Sequence, residues 1–431
     1  MLYSFAKIVM TIALRIFYRR VYVTGMESIP PRGPVILVAN HTSSLMDAAI
    51  LGVLMKRRIH YFARGDLFRN RFVARILESL NMIPVFHHEG GKRTLNDNDI
   101  GFERASTILA KGGMIVFFSE GMSHIERVLM PLRKGAFRLG FQTSKQTAFQ
   151  PGIPVIPTGI NYSHPTSSNA DVMVHFSAPI MLNDYKEQYS ANASAAILQV
   201  TKASRAALLK KVLHIDRNDN YMLADNCLTI KRNEYRFFTE RWLQATDNRL
   251  DEEKMICSII NHLPEQDLSE LKSLATKYYI ELKNQHIKDI ALSSSFEFRP
   301  FKRLLLITGF PVFATGYLLN ALPILIARRI ADNKVSRIDY YSWIFVVTAS
   351  LMYLCWLVIL FFGFLVVGWD WAIIIIVISM MTGVVSPSYI NNWKRYQQFK
   401  RVNRLKKKEP GILKNLHHLR ATILSKIFSS V

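Results

Sequence analysis

Cysteine is scarce in this sequence: Cys227, Cys257 and Cys355 are the only three in 431 residues. The number is odd and no two form a Cys-x-x-Cys pair, so neither a disulfide framework nor a thiolate zinc site is indicated. A reducing, cytoplasmic setting fits. Acidic residues are also short, 32 against 55 Lys and Arg, which leaves a net charge of +23. No Gly-x-Ser-x-Gly elbow occurs, which argues against an α/β-hydrolase serine nucleophile. The N-terminal run carries Lys7 and Arg15 inside its apolar stretch and has no small-residue cleavage site. It reads as a membrane-interfacial helix with its lead-in, residues 1–30, rather than a removable signal peptide.

Half of the sequence is hydrophobic. A soluble nucleic-acid binder would account for the charge but not for the long apolar runs. The aromatics lie mainly in those runs instead of alternating with basic residues, so nucleic acid is not an expected partner. A membrane protein with basic flanks accounts for both features, and anionic headgroups become expected partners.

Leu304–Ala327 has no charged residue but is interrupted by Pro311 and Pro323, and Tyr341–Trp393 has one charge, Asp370. About 20 apolar residues cross a bilayer, so residues 301–393 hold two or three spans. The loop Arg328–Arg337, the tail 394–431 and the N-terminal domain are all basic. The positive-inside rule puts all three on the cytoplasmic face, which requires Leu304–Ala327 to enter and leave on one side, kinked at its prolines.

Before the membrane region, strand-like runs alternate with helical ones. Val35–Ala39, Ile59–Ala63, Met82–Phe86, Met114–Phe118, Pro154–Ile160 and Val172–Phe176 read as strands. Asp47–Lys56, Phe68–Leu80, Ile100–Ala110, Lys134–Thr143 and Ala191–His214 read as helices. This alternation predicts a layered α/β domain over residues 31–230. Residues 231–300 read as a charged helical segment without strand-like alternation.

Two blocks carry the chemistry. In Val35-Ile-Leu-Val-Ala-Asn-His41-Thr-Ser-Ser-Leu-Met-Asp47, a buried strand ends at a histidine, and a carboxylate follows where a helix begins. Such an imidazole can take a proton from an alcohol while the carboxylate fixes its tautomer. The plainer alternative is a capping box, since Asp47 lies three residues after Ser44. The second block runs Phe118-Ser119-Glu120-Gly121-Met-Ser123-His124-Ile-Glu-Arg127 and continues to Arg133-Lys134-Gly135. Gly121 allows close backbone approach, and Ser123, Arg127 and Lys134 supply hydrogen bonds and positive charge suited to a phosphate. Glu120 would repel that phosphate unless it holds Arg127, another base or substrate hydroxyls.

The order Asn-His…Asp, Phe-Ser-Glu-Gly and Gly152-Ile-Pro-Val-Ile-Pro157-Thr-Gly resembles the glycerolipid acyltransferase family, which includes the 1-acylglycerol-3-phosphate acyltransferases. The resemblance covers roughly the first 180 to 230 residues. It implies a catalytic dyad of His41 and Asp47, an acceptor site around Ser119, Glu120 and Gly121, and an acyl site shaped by Ile156 and Pro157. It also implies a fatty acyl group moved from acyl-CoA or acyl carrier protein to a glycerol-phosphate hydroxyl in phospholipid biosynthesis, with no metal or other cofactor. Five residues separate His41 from Asp47 where the common pattern has four. The longer spacing and the Glu-Gly-x-Ser-His-x-x-Arg block are similar to the glycerol-3-phosphate and dihydroxyacetone-phosphate acyltransferases. Ser119 stands where proline is usual, and Ile83–His88 occupies the place of a phosphate-gripping arginine, leaving Arg93 or Arg64 for that task. The competing readings are a membrane-bound thioesterase and a non-catalytic basic membrane scaffold.

Overall fold

The computed structural model describes residues 2–85, 95–235, 243–244 and 249–428, which form two compact units. The first comprises residues 1–213, 241–250 and 336–343. Its strands are β1 (Arg20–Thr24), β2 (Val35–Ala39), β3 (Ile59–Arg64), β4 (Met82–Val85), β5 (Met114–Phe118), β6 (Pro154–Tyr162), β7 (Asp171–Phe176), β8 (Ile180–Met181) and β9 (Leu243–Gln244). They form one mixed sheet in the order β4-β3-β5-β2-β6-β7-β1-β9, with β8 beside β6. Strands β4, β3, β5, β2 and β6 run parallel, whereas β7 and β8 are antiparallel to β6. Every residue of β2 and of β6 is buried, which is why both read as near-continuous apolar runs.

The helices of this unit are α1 (Leu2–Phe17), α2 (Leu45–Leu54), α3 (Arg71–Ser79), α4 (Leu95–Ala110), α5 (Gly135–Gln146), α6 (Lys186–Ala191) and α7 (Ala193–Leu209). Ile36, Val38 and Ile115 pack on one face of the sheet against Leu109 of α4, Phe137 and Phe141 of α5 and Val200 of α7. On β3, the Tyr61 hydroxyl donates to Ala48 O of α2 at 3.0 Å. Helix α1 leaves Phe5, Ile8, Ile12 and Ile16 exposed at helical spacing. Residues 20–24, read from sequence as a lead-in, are strand β1, in parallel register with β7.

The second unit is helical: α8 (Tyr221–Glu234), α9 (Arg249–His262), α10 (Glu265–Asn284), α11 (Pro300–Thr308), α12 (Phe310–Lys334), α13 (Tyr341–Leu365), α14 (Trp369–Lys408) and α15 (Pro410–Phe428). The first residues of α9 and α13 belong to the first unit. The basic tail ends in α15, whose Leu416, Leu419, Ile423 and Ile427 are buried. Its Arg420 pairs with Asp289 at 2.9 Å.

Three of these helices are long and apolar enough to cross a membrane: Phe310–Lys334, Ile338–Leu365 and Trp369–Lys408. Leu304–Ala327, expected to enter and leave on one side, falls mainly within the first of these helices. The run divides at Gly309 into α11 and an unbroken α12. Pro311 sits in the first turn of α12, where its missing N–H is no loss. Pro323 leaves the Leu319 carbonyl without its usual helical donor, and the indole N–H of Trp356 takes that place at 2.6 Å.

Candidate active site

The register of two neighbouring strands brings the two sequence blocks together. Strands β2 and β5 are parallel, and Ala39 pairs with Phe118 at the end of the ladder. One step further along each chain stand Asn40 and Ser119, then His41 and Glu120. The His41 backbone N–H donates to Glu120 Oε1 at 2.7 Å. Both residues thus lie just past the carboxyl ends of parallel strands, where loops are free to meet a ligand. The Asn40 side chain locks this end of β2 to β6, donating to Ile160 O at 2.9 Å and accepting from Ile160 N at 2.7 Å. The His41 ring stacks on Phe118 at a centroid distance of 4.2 Å.

Asp47 is fully buried in the first turn of α2. Its Oδ2 lies 2.9 Å from His41 Nδ1 and accepts the Thr42 and Ser43 backbone N–H groups, also at 2.9 Å. Its Oδ1 accepts the Tyr162 hydroxyl at 2.5 Å. The capping-box alternative does not form: Ser44 is the N-cap of α2, but its side chain caps nothing. Ser44 holds φ at +47°, an unfavourable backbone for a residue with a Cβ. Burial, and then the Asp47 charge, pushes the Tyr162 phenol well above its ordinary range, so it remains a donor. A carboxylate against Nδ1 favours the imidazole tautomer that carries its proton on that nitrogen. The imidazole is 17% exposed.

Glu120 is buried, and both of its oxygens are engaged. Oε2 accepts from Met130 N and lies against His124 Nε2, each at 2.8 Å. The expected counter-charge is therefore His124 rather than Arg127. The hydrogen bond to Glu120 holds the His124 imidazolium above the usual histidine range, against the opposing effect of burial. The His124 backbone N–H also donates to the His41 backbone carbonyl at 3.1 Å, closing a ring of bonds between the two blocks.

The remaining sequence candidates occupy distinct places. Arg127 is buried and donates to Tyr162 O and Ser163 O, both at 3.1 Å, so its guanidinium braces backbone. Ser123 is buried and its hydroxyl donates to the Asp339 carboxylate. Ser119 is buried with no hydrogen-bond partner for its hydroxyl among the described residues. Gly121 has φ +82°, and a Cβ there would fall 2.2 Å from Arg133 Nε. The exposed Arg133 side chain therefore lies on this glycine, with exposed Lys134 next to it at the start of α5. Pro157 pairs with Val38 of β2 and falls between the β8 and β7 ladders, where no antiparallel partner needs its missing N–H. Arg64 is exposed and paired with Asp66 at 3.0 Å. Arg93, His87 and His88 lie outside the described residues.

Four contributors were given no role by the sequence reading. Asn40, His124 and Arg133 all stand inside the quoted blocks, and His124 had the further signal of its four-residue spacing from Glu120. Tyr162 had none, because it reaches Asp47 across 115 positions of chain.

Residues 20–161 match the family model described as Acyltransferase. Those residues form an acyltransferase domain. The domain spans β1 to β6 and includes His41, Asp47 and Glu120. An uncharacterized acyltransferase of Schizosaccharomyces pombe is 21% identical over 51% of this chain and 45% of its own length. The 1-acyl-sn-glycerol-3-phosphate acyltransferase alpha of Mus musculus is 29% identical over 32% of this chain and 44% of its own. The chain thus spans a little under half the length of these two relatives. The crystal structure of the 1-acyl-sn-glycerophosphate acyltransferase PlsC from Thermotoga maritima is 20% identical, with a TM-score of 0.34 over 46% of this chain and 78% of that one. That structural likeness is too slight to carry weight.

Proposed function

We propose that the protein transfers a fatty acyl group from a thioester, acyl-CoA or acyl carrier protein, to a hydroxyl of a glycerol phosphate at a membrane. The observation that carries this reading is the 2.9 Å contact between His41 Nδ1 and the buried Asp47 carboxylate at the carboxyl edge of the sheet. Nε2 of His41 takes the proton of the acceptor hydroxyl as its oxygen attacks the thioester carbon. The carbon–sulfur bond breaks, and the departing thiolate receives that proton from the imidazolium. A thioester is already activated, so the step needs neither a covalent acyl-enzyme nor a metal. General-base assistance of this kind contributes about 10²–10⁴ in rate.

Arg133 and Lys134 at the Gly121 turn are the cations placed to meet the acceptor phosphate, and the unpartnered Ser119 hydroxyl suits an acceptor oxygen. Pro157 and Ile156 would help to shape the acyl site. The name of the mouse relative favours 1-acylglycerol 3-phosphate as acceptor. Anionic headgroups would attract the basic surface, and the exposed face of α1 would lie in the interface.

The test is to incubate the purified full-length protein with labelled acyl-CoA or acyl carrier protein, and either glycerol 3-phosphate or 1-acylglycerol 3-phosphate. Thiol release dependent on one acceptor, with a matching acylated phospholipid product, is expected. Equal release without acceptor would make the protein a thioesterase and overturn the proposal.

A further inference from the structure

The acceptor loop is fastened from a part of the chain that lies far outside the acyltransferase domain. Residues 336–343 follow α12, open α13 and belong to the α/β unit. Within this segment Asp339 is buried and accepts the Ser123 hydroxyl. Arg337 donates to Ser123 O at 2.8 Å and forks onto Asp339, with Nε at 3.2 Å and Nη2 at 2.9 Å. The Arg337 guanidinium lies over the Tyr340 ring at 5.2 Å. At the far end, the Ser342 hydroxyl donates to Pro165 O in the β6–β7 turn at 2.7 Å. Both the hydroxyl and the carbonyl of Ser123 are thus held by this segment.

Ser123 is a consequential residue to hold. Its neighbour His124 donates its N–H to His41 O and sets its ring against Glu120, which in turn accepts the His41 N–H. Any shift of Ser123 therefore passes through one peptide unit to both ends of the ring that frames the base. Charge-assisted hydrogen bonds to a buried carboxylate are the strong kind, and removing one partner leaves the others uncompensated.

We infer that residues 336–343 are a strap for the acceptor loop, with Asp339 and Arg337 as positioning residues acting through Ser123. The inference rests on the proposed reading of residues 119–134 as the acceptor site. The strap is continuous in the chain with α12 and α13.

The experiment uses the full-length protein in phosphatidylcholine–phosphatidylglycerol vesicles and compares wild type with Asp339→Ala, Asp339→Asn, Ser123→Ala and the Asp339→Ala/Ser123→Ala pair. Asp339→Ala should raise the acceptor KM on the order of tenfold, the scale of a lost charge-assisted buried bond, while the acyl-donor KM stays put. Asp339→Asn keeps an oxygen for Ser123 and should be milder. The double variant should be no worse than the more severe single one, because both act through one contact. Hydrogen exchange of residues 121–128 should quicken in Asp339→Ala and Asp339→Asn whether or not turnover is detected. An unchanged acceptor KM in an active enzyme, multiplicative effects of the two single changes, or unchanged exchange in the folded Asn variant would overturn the strap. A wild-type protein that acylates neither acceptor would overturn the proposed function instead, leaving exchange to decide on the strap.

Discussion

Ser119 and His124 flank the same turn and answer to different physics. The Ser119 hydroxyl is buried without a partner among the described residues, a state that costs about 1–3 kcal/mol. Ser119→Ala should therefore raise the thermal midpoint of the empty protein, yet weaken the acceptor by raising its KM. A variant that shifts neither would remove Ser119 from the acceptor site. His124 is a titrating bond. Its folded pKa lies above the ordinary value of about 6.5, so its pairing with Glu120 stabilises the fold fully below that value. That contribution is lost as pH rises through the raised pKa. The urea midpoint of the wild type should fall across this interval, and His124→Gln should flatten the profile. An unaltered slope in the variant would show that another group titrates.

At the scale of elements, α12 and α14 pack through small and polar residues. A Cβ on Gly316 would fall 2.8 Å from Thr382 Cβ and 2.9 Å from Thr382 O, so the two backbones approach closely there. One turn on, Asn320 donates to Ser379 O at 3.1 Å and accepts the Ser379 hydroxyl at 2.8 Å. Gly316→Ile should push the helices apart and lower the midpoint in detergent more than Asn320→Leu. The latter should cost about 0.6–2 kcal/mol, as interhelical hydrogen bonds in membranes do. A Gly316→Ile protein as stable as wild type would contradict this packing. Elements with a strong apolar signal were legible in the sequence: β2 and β5 are continuous apolar runs, β6 is nearly so, and the ends of β2 and β5 carry the motifs. The two-residue β9 is too short to show a period. Strand β1 was hidden by the apolar helix running into it. Where α12 passes through Pro323, the freed Leu319 carbonyl is satisfied by Trp356, which no local pattern reveals.

At the scale of the whole molecule, the chain combines an acyltransferase domain with, among the described residues, three helices long and apolar enough to cross a bilayer. A net charge of +23 would bind anionic membranes, but charge alone yields to salt and alkali. Carbonate washing of membranes at about pH 11 should leave the protein in the pellet, because that wash strips charge-held proteins and spares inserted helices. Release into the supernatant would contradict the spanning assignment. The placing of His41 beside Asp47 was readable from one short motif, whereas the bonds that frame the pair from Tyr162, and the tie on Ser123 from Asp339, arise only when distant segments fold together. The most direct test of the account is acceptor-dependent thiol release by His41→Ala. Turnover should fall by about 10²–10⁴ with folding and membrane retention unchanged. Turnover close to that of the wild type would show that the imidazole at the end of β2 is not the base.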